Sequence, residues 1–360
     1  MRLARMCAIL NRKSYDLQGG FIMKTMIKKI GFCLSLLALL ISFGCSQGKE
    51  AADNNGKGKL TVMTSFYPMQ LLTQAVVGDQ ADVQVMISGK QEAHHFEPSA
   101  KDMARLQGAD VFVYNSDDME AWVESSLNSI DTDRVKVVES ADNIEPISGA
   151  VETIEGEVLT AEDDHDHDHD HDHEGDHNHE EGGLHVHEYD PHTWLSPKNA
   201  MIQTQAICDA MKEVDPDQAE LYQKNTDAFL EKLEALDHDY QTAFSNHPDQ
   251  SFVTAHAAFG YLADEYNLKQ IALTGVSDDA EPSPQAMAGV IDYIKQNNLP
   301  VIYFQENTSS KLAETLAAET GVKVSSLNAL ESASSDQPIS GDTYINLMRE
   351  NLEHLKLTIN

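Results

Sequence analysis

Short β-rich segments alternate with helical patterns along most of the chain, beginning near Lys59. Residues 60–66 and 81–87 predict strands, and residues 68–77 predict a helix between them. A parallel strand pair needs a crossover connection, which is usually a helix, so this alternation favours a parallel sheet with helices on its faces. The chain is therefore predicted to belong to the α/β class.

The alternation is interrupted near residue 139 and resumes near residue 197, and a long helical stretch over 217–246 follows. Apolar side chains recur at helical spacing in that stretch, at Leu221, Phe229, Leu233, Leu236 and Tyr240. We expect two lobes with mostly parallel sheets flanked by helices, joined by one long rigid linking helix. The expected boundaries are 59–214 for the N-terminal lobe, which includes a disordered His/Asp-rich loop at about 150–189, then 215–249 for the linking helix and 250–360 for the C-terminal lobe.

The amino-terminal segment has the features of a secretory leader. Lysines precede an apolar run at 30–43 that is too short to span a bilayer comfortably. We expect 1–44 to be the leader, and within it 1–22 to lie before a more natural start of translation. We expect 45–58 to be a tether that carries lipid on Cys45. This predicts an extracytoplasmic protein anchored to a membrane by lipid, and it leaves open which membrane carries the anchor.

The formal net charge is −34, which argues against nucleic acid as a partner because phosphate backbones are bound by clustered Lys and Arg. Of the 59 acidic residues, 16 lie between Glu152 and Asp190, a segment without Lys or Arg. The negative charge is therefore concentrated in this one segment rather than spread over the whole surface.

Four loops combine metal-binding side chains with the end of a predicted strand or the start of a helix. These side chains are His94 and His95, Asp190 and His192, His256, and Glu306. Each loop alone is a weak signal, since a lone loop histidine is usually exposed or caps a helix. Because all four loops fall at the same edge of the predicted sheets, we expect a metal site there. Three imidazoles and one carboxylate suit Zn²⁺, which takes nitrogen and oxygen ligands in tetrahedral geometry.

A second group of histidines lies in the acidic segment and alternates with aspartate over part of its length. Its members are His165, His167, His169, His171, His173, His177, His179, His185 and His187. The segment has low complexity, so it is predicted to be a disordered auxiliary metal-binding loop, weaker than a preformed cleft. The alternative is a solvated insertion without function.

The candidate loops also carry a resemblance to a known family. The segments EAHHFEPSAKD, EYDPHTWLSP, FVTAHAAFGYLADEYNL and VIYFQENTSSK, in this order, resemble the signature stretches of zinc-specific solute-binding proteins of bacterial ABC transporters. The similarity extends from about Lys59 to the end of the chain. It implies two α/β lobes bridged by a rigid helix, a metal in the cleft, and a monomeric lipoprotein that serves an ABC permease and its ATPase.

Carried over by position, the resemblance implies His94, His192, His256 and Glu306 as the zinc ligands. His95 is an alternative first ligand, one residue out of register, and water or another carboxylate is an alternative to Glu306. Manganese-type relatives usually place Glu at the third position, so His256 favours zinc.

Two carboxylates, Glu97 and Asp190, are candidates to support the ligands from behind, because a liganding imidazole usually donates its other ring N–H to a carboxylate or carbonyl. The alternative is that both merely cap and solubilise their loops.

Three other functions remain open at this point. A manganese or nickel binding protein could use the same scaffold, and a surface adhesin or passive zinc buffer could use it without a permease. A zinc hydrolase is disfavoured, since no predicted helix carries an HExxH motif and the sequence has no GxSxG elbow or phosphate-cradling glycine-rich loop.

Overall fold

The computed structural model describes residues 58–359, apart from 90, 92, 150, 153–157, 160–188, 277–281, 306–309 and 334–336. Residues 59–360 form one compact unit. No helix in the described part of the chain is both long enough and apolar enough to cross a membrane. The predicted leader, the predicted lipidation site Cys45 and residues 165–187 of the predicted histidine-rich loop fall outside the described residues.

The first sheet has four parallel strands in the order β2-β1-β3-β4. Its strands are β1 (Leu60–Thr64), β2 (Ala81–Val85), β3 (Val111–Tyr114) and β4 (Lys136–Glu139). Every residue of β3 is buried, as expected for a central parallel strand covered by helices on both faces. The helices between the strands are α1 (Tyr67–Val77), α2 (Ala100–Gly108) and α3 (Val123–Leu127).

Helix α2 begins with a reciprocal cap formed by Ser99 and Asp102. The Ser99 hydroxyl accepts a hydrogen bond from the Asp102 backbone N–H, and the Asp102 carboxylate accepts one from the Ser99 backbone N–H. These two bonds satisfy backbone donors that a helix end otherwise leaves unpaired. They fix the end of the loop that carries His94.

Two helices connect the lobes in sequence. Helix α4 spans Pro197–Val214, and α5 spans Ala219–Phe244 with 26 residues. The buried residues of α5 repeat at helical spacing, and they are Tyr222, Thr226, Phe229, Leu233, Leu236, Tyr240 and Phe244. The predicted long helix is therefore present, and its apolar stripe packs into the core.

The second sheet also has four parallel strands, in the order β10-β9-β7-β8. Its strands are β7 (Ser251–Thr254), β8 (Lys269–Ala272), β9 (Val301–Phe304) and β10 (Lys323–Ser326). Its helices are α6 (Gly260–Glu265), α7 (Pro284–Asn297) and α8 (Ser310–Thr320). A short antiparallel pair, β5 (Val151–Glu152) with β6 (Val158–Leu159), lies outside both sheets. The predicted fold class, two parallel-sheet α/β lobes flanked by helices, is confirmed.

The last helix, α9 (Gly341–Leu355), packs against α1 and α5 as well as following the second sheet. A side chain on Gly341 would collide with Ala75 of α1 and Phe229 of α5. Farther along α9, the Tyr240 hydroxyl of α5 donates to the Met348 carbonyl at 2.7 Å. Helix α5 is therefore not the only tie between the lobes, since α9 returns from the second sheet to the helices of the first.

Candidate metal centre

His192 occupies the centre of a group of three buried imidazoles. Its ring centroid lies 5.2 Å from that of His94 and 5.5 Å from that of His256. The side chains of His94 and His192 are fully buried, and that of His256 is 2% exposed. Buried imidazoles cannot rely on water for their hydrogen bonds, so their ring nitrogens require partners within the protein or a ligand.

The carboxylate among these rings belongs to Glu331. Its Oε1 lies 3.3 Å from Nε2 of His192, 3.4 Å from Nε2 of His256 and 3.9 Å from Nε2 of His94. One ligand atom each from His94, His192 and Glu331 lie within 4.8 Å of one another. Among the described residues, His192 Nε2 and Glu331 Oε1 have no partner with hydrogen-bond geometry. Three candidate ligand atoms thus lie close to one another, and His256 Nε2 approaches the same carboxylate oxygen.

Asp190 holds the His192 ring from the opposite side. Its Oδ1 accepts hydrogen bonds from the backbone N–H of His192 at 2.9 Å and from ring Nδ1 at 2.8 Å. With the proton on Nδ1, the lone pair of Nε2 is available on the side that faces Glu331. The other oxygen of Asp190 lies so close to Gly260 that a side chain there would overlap it.

Hydrogen bonds to the backbone carbonyl of His256 fix the loop that carries this residue. The His256 carbonyl accepts from the Thr254 hydroxyl at 2.8 Å and from the Gln270 amide at 3.1 Å. The amide nitrogen of Gln305 lies 3.1 Å from His256 Nδ1 and 3.2 Å from Nε2. The Gln305 side-chain amide therefore lies beside the His256 imidazole.

The His192 imidazole and the Glu331 carboxylate shift each other's pKa. Burial alone would lower the pKa of His192, but the hydrogen bond to Asp190 and the nearby Glu331 raise it to about 9. Burial would raise the pKa of Glu331, yet the imidazoles of His192, His256 and His94 hold it well below its usual range. Without metal, His192 and Glu331 therefore form an ion pair at neutral pH, and a metal ion that binds here must displace a proton.

A buried polar network lies behind the segment that carries His192. The Asn115 amide donates to the Pro191 carbonyl at 2.8 Å, and its oxygen accepts from the Thr193 hydroxyl at 2.6 Å. Asn115 is in turn held by Glu120, whose Oε1 accepts from the Asn115 backbone N–H at 3.0 Å. The network thus holds the residues on both sides of His192, Pro191 through its backbone carbonyl and Thr193 through its side-chain hydroxyl.

Glu120 is fully buried at the end of this network, and it also accepts hydrogen bonds from Ser65 and Ser116. Burial raises its pKa to about 7, an effect that these hydrogen bonds only partly offset. The folded protein therefore binds a proton at Glu120 between about pH 4.5 and 7, a range in which the unfolded chain has already released it. The stability contributed by this group falls as pH rises through that window.

The structure brings together three of the four ligands predicted from sequence. His94, His192 and His256 converge, while the exposed His95 lies outside the group. The fourth, Glu306, lies outside the described residues. Sequence reasoning missed Glu331, which is the fifth residue after the end of β10. The loop leaving a predicted strand was the signal used for His94, His256 and Glu306, and it applies to this loop as well.

The two predicted supporting carboxylates differ in position. Asp190 contacts His192 directly. Glu97 is exposed and borders a shallow surface groove with Met103 and Gln107. That position does not give Glu97 the role of supporting an imidazole.

The fold and this constellation define a class of two-lobed α/β proteins whose metal-binding side chains come from both lobes. A family model described as zinc-uptake complex component A, periplasmic, matches residues 62–357. The chain belongs to this family.

Relatives from two organisms show the extent of the similarity. The zinc-binding lipoprotein AdcA of Streptococcus pneumoniae is 41% identical over 332 residues, which are 92% of this chain and 61% of AdcA. The high-affinity zinc uptake system protein ZnuA of Bacillus subtilis is 40% identical over 327 residues, 91% of this chain and 95% of that protein. The chain thus spans about three fifths of the AdcA relatives but nearly all of ZnuA.

Solved structures support the same assignment. The Zn(II)-bound ZnuA-like domain of S. pneumoniae AdcA superimposes with a TM-score of 0.66 at 38% identity, covering 84% of this chain and 99% of that domain. The laminin-binding protein Lmb of Streptococcus agalactiae, described as bifunctional with adhesin and metal-transporting activity, gives 0.67 at 32% identity and covers 84% of this chain and 100% of Lmb.

Proposed function

We propose that this protein captures zinc outside the cytoplasm and delivers it to an ABC permease. The convergence of His94, His192 and His256 on the Glu331 carboxylate carries the proposal. These four side chains are proposed as the zinc ligands, with Asp190 orienting His192. Glu306 is retained as the competing carboxylate.

The donor set favours zinc over manganese, which prefers carboxylate, carbonyl and water oxygens. Three imidazoles and one carboxylate fill a tetrahedral sphere, as zinc accepts in closed sites. Nickel also binds imidazole, so nickel competition belongs in the binding experiment. Binding is proposed to be capture without catalysis, and zinc-dependent hydrolysis of an ester or peptide panel would argue for an enzyme instead.

The cellular setting is proposed from the family and from the amino-terminal sequence. A permease and its ATPase are the proposed partners, since the family model describes one component of an uptake complex. Lipid on Cys45 is the proposed anchor, supported by the similarity to a zinc-binding lipoprotein. The histidine-rich loop, residues 165–187, is proposed to collect metal for the cleft, and the protein is proposed to act as a monomer.

Adhesion is a second candidate function. It is favoured by the similarity to Lmb, a protein described as both adhesin and metal transporter. Binding to immobilised laminin, compared with and without zinc, would test it separately from metal uptake.

The direct test of zinc capture is a competitive zinc titration against a chromophoric chelator. Four proteins are compared: the unmodified chain, a variant lacking 164–187, His192→Ala, and the two changes combined. We expect one tight zinc per chain without the loop and its loss in both proteins carrying His192→Ala. Excess manganese should not displace it. Absence of tight zinc after loop deletion would assign the binding to the loop and overturn the cleft site.

A further inference from the structure

We propose that Trp194 is a positioning residue that sets the separation of His192 and Glu331 across the two lobes before metal arrives. The inference rests on the proposed zinc site and adds a residue that touches no metal. Trp194 is two residues after His192, and the carbonyl that it binds, that of Ala329, is two residues before Glu331. One buried side chain therefore joins the backbone segments of both ligands.

Trp194 is fully buried, its ring centroid lies 5.3 Å from that of His192, and it is tied at three further points. Its indole N–H donates to the Ala329 carbonyl at 2.8 Å. Its own carbonyl accepts from the Tyr344 hydroxyl of α9 at 2.7 Å. Its ring packs edge-on against Phe66, at the end of β1, with the centroids 4.9 Å apart. A rigid bicyclic ring held in this way fixes the position of the Ala329 carbonyl relative to the first lobe.

The segment that carries Glu331 needs such support because it has no regular secondary structure. Leu330 has a φ of 60°, a left-handed conformation that is unfavourable for a leucine. The Asn351 side chain of α9 holds the segment from one direction, since it donates to the Asn328 carbonyl at 2.8 Å and accepts from the Asn328 N–H at 2.7 Å. Trp194 holds it from the direction of His192.

The spacing matters because metal–ligand distances tolerate errors of only about 0.2 Å. If the indole N–H is removed, the buried Ala329 carbonyl loses its donor, and the segment gains freedom at the position next to Leu330. The Glu331 carboxylate should then occupy a wider range of positions relative to His192, so fewer molecules present a complete site.

The second tryptophan of the chain provides a matched control. Trp122 is also buried and packs edge-on against an aromatic ring, that of Phe96. Among the described residues its indole nitrogen has no hydrogen-bond partner. Trp122→Phe and Trp194→Phe thus remove the same atoms from the core, but only Trp194→Phe removes a hydrogen bond to the Glu331 segment.

The test measures zinc affinity by chelator competition, and the absorption spectrum of one equivalent of Co²⁺, for the full chain and both variants. We expect Trp194→Phe to bind zinc about 10-fold more weakly than Trp122→Phe, the lower end of the range for residues that support metal ligands. Its Co²⁺ band should lose the intensity of four-coordinate geometry. Equal affinities and spectra in the two variants would overturn the inference. Absence of tight zinc binding by the unmodified chain would instead overturn the proposed function.

A second measurement needs no Trp194 variant and covers the case in which that variant does not fold. Indole N–H exchange is followed by NMR in the unmodified, metal-free protein, with Trp122→Phe used to assign the two signals. We expect the Trp194 N–H to be protected before zinc is added. Rapid exchange that slows only with zinc would show that metal binding creates the hydrogen bond to Ala329. It would refute the proposal that Trp194 sets the spacing of His192 and Glu331 before zinc binds.

Discussion

Glu331→Gln is the substitution that tests the candidate site most directly, because it keeps the shape of the side chain and removes its charge. Four-ligand zinc sites have apparent binding free energies of about 10–16 kcal/mol, or roughly 2.5–4 kcal/mol for each ligand. The Glu331 side chain is 12% exposed, while His94 and His192 are fully buried. Water can therefore replace Glu331 more easily than it can replace an imidazole. We expect the lower end of the range, a loss of about 100-fold in zinc affinity.

The matched control is Glu306→Gln, which removes the carboxylate predicted from sequence. Both substitutions are made in the protein lacking residues 164–187, and zinc affinity is measured by chelator competition at pH 7.5. Glu306→Gln should change the affinity by less than about 2-fold, as for a charge that makes no contact with the metal. The assignment of Glu331 would be refuted by the reverse pattern, a large loss with Glu306→Gln and little change with Glu331→Gln.

Three further predictions concern the surroundings of the site. Gly260→Ala should displace the Asp190 carboxylate and weaken zinc binding about 10-fold. Gly108→Ala, where an added Cβ meets no atom of the described residues within 4 Å, should not change the affinity, and equal titrations for the two would contradict the role given to Asp190. Glu120→Gln should remove a pH-dependent cost, so that the unmodified protein loses about 2–3 kcal/mol of unfolding free energy relative to the variant between pH 5 and pH 8. Denaturant titrations at both pH values measure this, and a difference independent of pH would show that Glu120 titrates normally. Because α9 ties the second sheet to α1 and α5, the scattering radius should not change measurably on zinc loading, and a large decrease would reveal a hinge closure instead.

Most of the fold was predictable from sequence because its signals are local. Strands β1 and β2 and helix α1 lie within two residues of the bounds that their patterns predict, since periodicity reports burial and backbone conformation within a few residues. The helix predicted over 217–246 is two residues shorter at each end in the structure, Ala219–Phe244, since helix ends depend on tertiary packing as well as on propensity.

The histidines of the site were also within reach of the sequence, because each lies in a loop next to a strand or helix end. Sequence did not reveal Glu331, since a carboxylate in a serine-rich loop carries no local sign of burial. Nor did it reveal that Trp194 donates a hydrogen bond to the Ala329 carbonyl.

The sequence by itself determined the class of fold, the order of its elements and the imidazoles available to a metal, because these follow from local periodicity and residue chemistry. Only the tertiary structure decided which carboxylate meets the imidazoles, how α9 ties the lobes together and which side chains hold the ligands in place. Those contacts join segments far apart in the chain, and their geometry depends on how two sheets and their helices pack.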